Sequence, residues 1–314
     1  MFDIVRYTPD KCQEWNQFVA QSKNGTFLFY RQYMDYHADR FHDHSLMIYR
    51  KSRLYALLPA NGYDDVFASH QGLSYGGLVM DRHARAAEIL DVFSLLNAYL
   101  VSQGFRQVVY KHIPWIYHQL PSEEDLFALT NVSHARLRTR DIASVVSLHC
   151  PLSFTSLRKR GVKKAQKVGL AVEESTDFAV YWQLLEDTLR TRHHASPVHS
   201  LPEIQLLHSR FPQQIRLFVV KSGQQVIGGT VLYISHHVVK TQYIATNAAG
   251  RACGAVDLLF CHLLQKFQQE NMDYFDFGTS NLVENDNLNA PLIHQKEGFG
   301  GRAVCYDTYE WTLC

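Results

Sequence analysis

One order of elements occurs twice along this chain, about 170 residues apart, and that duplication limits the folds open to it more than any other feature. Residues 45–60, SLMIYRKSRLYALLPA, read as two strands joined by a polar turn at Arg50 to Arg53. Residues 215–233, IRLFVVKSGQQVIGGTVLY, repeat this across Lys221 to Gln224. A β-rich stretch follows each hairpin, VFASHQGLSYGGLVM at 66–80 and HVVKTQYIATN at 237–247. Next comes an amphipathic helix. Ala86 to Gln103 aligns Ile89, Val92, Phe93, Leu96 and Leu100, and Ala255 to Gln269 aligns Val256, Leu259, Phe260, Leu263 and Phe267. Both sets have the spacing of one helix face. Each helix leads into a short strand, at 106–112 and 273–279. The pattern predicts two α/β domains, 1–150 and 151–314, meeting near Cys150-Pro151.

Between the copies three further helices are expected. Leu157 to Val168 is strongly basic, with six Lys or Arg between 158 and 167. Such a run is usually a solvated face, and the alternative is a grip on a polyanion. Asp177 to Thr191 carries Phe178, Trp182, Leu185 and Leu189 on one side. Ser200 and Glu203 have capping-box spacing and start a helix through about Ser209. Lys+Arg 31 against Asp+Glu 30 excludes a domain-wide basic footprint for long nucleic acid. No apolar run approaches the roughly 18 residues of a membrane span. Six scattered cysteines without a CxxC pair, and no signal-peptide pattern, read as reduced thiols in a cytoplasmic protein. The 17 histidines show no zinc-ligand spacing, so no metal is expected.

The strand-to-helix connection of the second copy is the first candidate site. It runs Asn247-Ala248-Ala249-Gly250-Arg251-Ala252-Cys253-Gly254-Ala255. Small residues permit close approach of a phosphate, and a helix start offers free N–H groups. An ordinary loop has the same composition. The first copy has Met80 to Arg85 here, without Gly and with an acid, so it is not expected to hold a phosphate.

Asn247-x-x-Gly250-x-Ala252 resembles the Arg/Gln-x-x-Gly-x-Gly/Ala loop of the GNAT superfamily of acyl-CoA N-acyltransferases, with Asn in the first position. Asn287, Ala290, His294, Lys296, Gly298 and Phe299 resemble that family's Asn-x-x-Ala-x-x-x-Tyr-x-Lys-x-Gly-Phe segment, with His for Tyr. The basic run at 157–167, Phe275-Asp276-Phe277-Gly278 and Lys296-Glu297-Gly298-Phe299-Gly300-Gly301 resemble the Fem-type aminoacyltransferases, which are two GNAT-like domains in tandem. The resemblance implies two tandem GNAT-like domains with mixed central sheets, the first degenerate and the second carrying the acyl-donor site.

It also implies roles. Acetyl-CoA or another acyl-CoA would be co-substrate, held by Ile244, Thr246, Asn247, Gly250, Arg251, Ala252, Cys253, Gly254, Ala255 and Lys296. Tyr243 and Ile244 would lie where the strands splay, and His294 could protonate the leaving thiolate. Asp276 and Glu297, or His193, His194 and His199, are candidate bases, with Asp276 equally suited to a structural role. His194, His199 and Asn281 are candidates for the acceptor side. The implied reaction is acyl transfer to a small-molecule amine, on an envelope polysaccharide or peptidoglycan precursor. The alternatives are aminoacyl transfer from aminoacyl-tRNA, and a scaffold that binds without catalysing.

Overall fold

The structure is a computed structural model that describes residues 1–282 and 287–313, without the side chain of His193. Its first elements are β1 (Phe2–Arg6), α1 (Cys12–Gln21), α2 (Arg31–Met34), β2 (Leu46–Arg50), β3 (Arg53–Leu58), β4 (Asn61–Tyr63), β5 (Val66–Ala68) and β6 (Val79–Met80). Then come α3 (Ala86–Ser102), β7 (Gln107–Lys111), α4 (Glu124–Asn131), β8 (Arg136–Ser147), α5 (Ser156–Lys167), β9 (Ala171–Ser175), α6 (Phe178–His193) and α7 (Leu201–Arg210). The last are β10 (Ile215–Ser222), β11 (Gln225–Ser235), β12 (Val238–Thr246), α8 (Ala248–Cys253), α9 (Ala255–Gln269), β13 (Tyr274–Thr279), α10 (Ala290–Glu297) and β14 (Arg302–Thr312). Both hairpins and both long helices lie where the apolar spacing predicts them. Lys51 and Ser52 at the first turn have φ of 48° and 62°, the left-handed pair that a tight hairpin needs. Among the described residues no helix is long and apolar enough to cross a membrane.

The chain divides into two compact units, Met1–Asp141 with Cys305–Cys314, and Ile142–Val304. Sequence pattern places the boundary at 150–151, whereas contacts place it inside β8 and return the last ten residues to the first unit. The reason is pairing: Thr308 to Thr312 of β14 run antiparallel to Lys111 to Gln107 of β7.

In the second unit the strand order is β8-β13-β12-β11-β10-β9. Only β12 and β13 run parallel among these neighbours. The apolar stripe of α9 packs on this sheet, burying Leu259, Phe260, Leu263 and Phe267 with Phe218, Leu232, Phe275, Phe277 and Phe299. Each such side chain contributes about 1.5–3 kcal/mol on leaving water. Phe275 and Phe277 face this core, so strand alternation turns Asp276 to the other side.

The first unit has the order β1-β2-β3-β6 in one sheet and β4-β5-β7-β14 in another. In the second unit β12 alone pairs antiparallel with β11 and parallel with β13. In the first, β6 pairs antiparallel with β3 while β5 pairs parallel with β7. The glycine-bearing segment 69–78 separates these two short strands. The β-rich stretch over 66–80 is thus two short strands with the glycines between them. At Gly76 the main chain passes so close to Ser69 that a Cβ would lie 2.0 Å from its carbonyl oxygen.

Candidate functional site: a forked strand pair

The parallel ladder between β12 and β13 runs from Val238↔Tyr274 to Lys240↔Asp276 and stops. From Thr241 onward β12 continues beside β11, with a bulge at Gln242 where Leu232 faces Thr241 and Val231 faces Tyr243. The strands therefore part at Lys240 and Asp276, before the expected Tyr243 and Ile244. Past the fork two buried donors, the Thr241 hydroxyl and the Trp182 indole N–H, have no hydrogen-bond partner among the described residues. A buried polar group without a partner costs about 1–3 kcal/mol, which makes such groups unusual in a structure unless something else binds them. Trp182 stands edge-on to Tyr243, with ring centroids 5.1 Å apart.

Tyr243 meets His199, whose Nδ1 lies 2.5 Å from the phenolic oxygen and whose backbone N–H donates to it at 3.2 Å. Burial pushes the Tyr243 hydroxyl up to about 12, so it is a neutral donor at neutral pH. The Tyr181 hydroxyl lies 3.1 Å from Tyr243 O and 3.2 Å from Gly229 O, fixing this part of β12. His199 precedes α7, whose capping box closes as expected, with Ser200 N donating to Glu203 Oε2 at 2.6 Å.

Lys240, Asp276 and Lys296 gather at the fork. Asp276 is fully buried and its Oδ1 accepts from Gly278 N at 2.7 Å, across a glycine with φ +70°. Lys296 donates to Gly278 O at 2.9 Å, Thr279 O at 2.6 Å and Ser280 Oγ at 2.9 Å. Burial pushes its ammonium down to about 8, with Asp276 opposing and Lys240 reinforcing the shift. Lys240 donates to Gln242 Oε1 at 3.0 Å and is also pushed down by burial. Lys296 was expected to hold cofactor; its donors are engaged with the chain.

α10 turns Lys296 inward and leaves His294 exposed. Two residues are about 200° around a helix, so one face cannot present both. His194 ends α6 in the left-handed conformation, φ +50°, and is exposed. Glu297 is exposed too, and the His193 side chain lies outside the described residues. Asn281 Oδ1 accepts from Ile142 N at 2.8 Å, a structural tie.

In the connection after β12, Asn247 caps α8 by accepting from Gly250 N at 2.9 Å. Gly250 faces β11: a Cβ there would lie 2.3 Å from Thr246 Oγ1 and 2.4 Å from Ile227 O. The glycine serves packing and its N–H is already bonded, in contrast to the open amide expected. Thr246 Oγ1 donates to Ile227 O at 3.0 Å, and Ile244 packs against the core. Ala252 and Cys253 end α8; Gly254, φ +79°, opens α9.

The start of α9 is covered as well. A Cβ on Gly254 would lie 2.5 Å from Gly161 O of α5. Asp257, in the first turn, sits against Gly161 and pairs with Arg158 at 2.8 Å. A carboxylate thus already complements the helix dipole, and Ala255 is wholly buried. What remains open is the α8 side, where Asn247, Ala248 and Arg251 line a pocket of about 580 Å³ with Val180, Asp187 and Gln225. Arg251 reaches back to Thr246 O at 2.6 Å.

The sequence places Trp182 on a core stripe, and neither Thr241 nor Lys240 stands out in it. Nothing in the pattern marks where a parallel ladder stops, so their polar roles were not visible.

Residues 155–285 match the family model described as Acetyltransferase (GNAT) domain, the stretch that contains the fork. That stretch is a GNAT domain, and by the domain it carries the chain is an N-acyltransferase. FemX is similar in structure, with a TM-score of 0.70 at 10% identity, over 99% of this chain and 97% of that one. So is the C-terminal domain of a putative lysylphosphatidylglycerol synthetase from Agrobacterium fabrum, with a TM-score of 0.63 at 11% identity, over 97% and 92%. A tandem GNAT protein from the clavulanic acid biosynthesis pathway has a TM-score of 0.55 at 9% identity, over 100% and 99%. The fold is therefore that of FemX and of the tandem GNAT protein. No curated protein matches the sequence.

Proposed function

We propose that this protein transfers an acyl group from acyl-CoA to a small-molecule amine, at the fork between β12 and β13. The observation that carries this reading is the pair of buried, unpartnered donors, Thr241 Oγ1 and Trp182 Nε1, beside a strand that has just left its neighbour. A pantetheine arm is an extended chain of amides that could lie along such a strand and take up those donors. Coenzyme A itself would supply the activated thioester carbonyl. The chain's residues hold and exclude: Trp182 and Tyr243 wall the fork, and neutral Tyr243, backed by His199, can donate a proton to a leaving group. Aligning amine and carbonyl supplies as much as roughly 7–11 kcal/mol of the barrier, so no dedicated base is required. The phosphates would lie in the Asn247, Ala248 and Arg251 pocket, since α5 covers the start of α9.

That covering also favours a second reading. A donor without a diphosphate, such as the ester of an aminoacyl-tRNA, does not need amides at the start of α9. FemX resembles this chain in fold, which supports the reading no further than that. A thermal-shift titration separates the two. Coenzyme A at 100 times its Kd should add about 2.7 kcal/mol of stability, and Arg251→Glu should abolish the effect. No shift with coenzyme A, together with stabilisation by aminoacyl-tRNA, would establish the second reading instead.

A further inference from the structure

Away from the fork, α5 presents an unusual face. Lys159, Arg160, Lys163, Lys164 and Lys167 are all exposed, and none has an acidic partner among the described residues. At 100° per residue these five cations fall within an arc of about 140°. The sixth, Arg158, points elsewhere and is spent on Asp257. The helix contains no acidic residue, in a chain whose net charge is only +1.

Beside this arc lies a pocket of about 540 Å³ whose walls include Leu148, Phe154, Val162, Leu264 and Phe299, with Lys159 and Lys163 along it. That volume falls in the range of small-molecule sites. Leu152, which also lines the pocket, is 48% exposed, and Leu157 at the start of α5 is 53% exposed. Cations alone would suit any polyanion. Cations on the wall of an apolar hole suit an amphiphile: an anionic head over an aliphatic chain. An exposed leucine on the pocket wall suits the interface of a bilayer more than a free monomer, because only the bilayer would cover it.

We propose that α5 and this pocket form a docking site for an anionic membrane surface, with one acyl chain of an anionic phospholipid entering the pocket and headgroups meeting the five cations. The site is separate from the fork and does not depend on which donor the fork uses. A negatively charged leaflet attracts such a cluster, and the attraction falls off within a Debye length, so binding should weaken with salt.

The test is sedimentation of the full chain with vesicles of phosphatidylglycerol in phosphatidylcholine, and with phosphatidylcholine alone. The chain should bind the first and not the second. Replacing Lys159, Lys163 and Lys167 together by Glu should lower partitioning at least about tenfold. Gln265→Trp, which fills the pocket from an exposed wall position, should lower it with the charge arc intact, and Leu152→Glu should do the same from the loop. An unchanged melting temperature certifies that each variant is folded. Equal binding to both vesicles, no binding to either, or binding indifferent to Gln265→Trp and Leu152→Glu overturns the proposal. So does capture of a tRNA lost in the triple variant while vesicles stay unbound, which would reassign the arc to RNA. Binding of monomeric dodecyl phosphate without vesicle partitioning would overturn the membrane as the source.

Discussion

Replacing Lys296 by Met tests the electrostatics of the fork. The side chain is 6% exposed and its three donors serve Gly278 O, Thr279 O and Ser280 Oγ. Three orphaned acceptors cost about 5 kcal/mol together, within the usual range of about 1–3 kcal/mol each. Against this, the variant no longer buries a charge. The ammonium falls from 10.5 to about 8 on folding. That depression corresponds to about 3 kcal/mol at 1.36 kcal/mol per pKa unit, leaving a net loss of about 2 kcal/mol at pH 7.

The pH dependence is the sharper signature. Below pH 8 folded and unfolded chains both hold the proton, and the native protein bears the full cost of the buried charge. Between pH 8 and 10.5 the unfolded chain still binds a proton that the folded one has released, so this group makes stability rise with pH. The variant lacks that rise. Urea titration followed by circular dichroism should place its midpoint about 1 M below wild type at pH 7 and about 2 M below at pH 10, for a slope near 2 kcal/mol/M. A gap that stays constant, or narrows as pH rises, would refute the reasoning.

Other substitutions probe the neighbouring connection. Gly250→Ala should lower the melting temperature, since its Cβ would sit 2.4 Å from Ile227 O and overpacking costs about 1–3 kcal/mol; calorimetry showing no loss would mean the main chain there yields freely. Asn247→Ala should cost about 1 kcal/mol through loss of the cap on Gly250 N, while Asn247→Asp keeps it. Chemical denaturation reads both, and equal loss in the two variants would show that the cap is not what Asn247 contributes. Trp182→Phe keeps an aromatic ring beside Tyr243 but removes the unpartnered indole N–H. It should leave the protein at least as stable yet weaken acyl-CoA binding measured by calorimetric titration; unchanged affinity would remove that N–H from the donor site.

Local chemistry made much of this protein legible in its sequence. The stripe on α9 and the alternation around Asp276 each require only neighbours along the chain, as does the capping box at Ser200. So does the duplication, because an amphipathic helix after a hairpin must cover a sheet wherever it occurs. Three features near the fork were decided by distant partners instead. The ladder between β12 and β13 stops at Lys240, and no pattern in either strand announces where pairing ends. Gly250 looks like an opening for phosphate until β11 is seen behind it, and Asp257 looks like one more helix residue until Arg158 arrives from α5. Periodicity specifies which face of an element is apolar. What stands against that face, and which buried polar groups it leaves unpartnered, is set only when elements far apart in the chain come together.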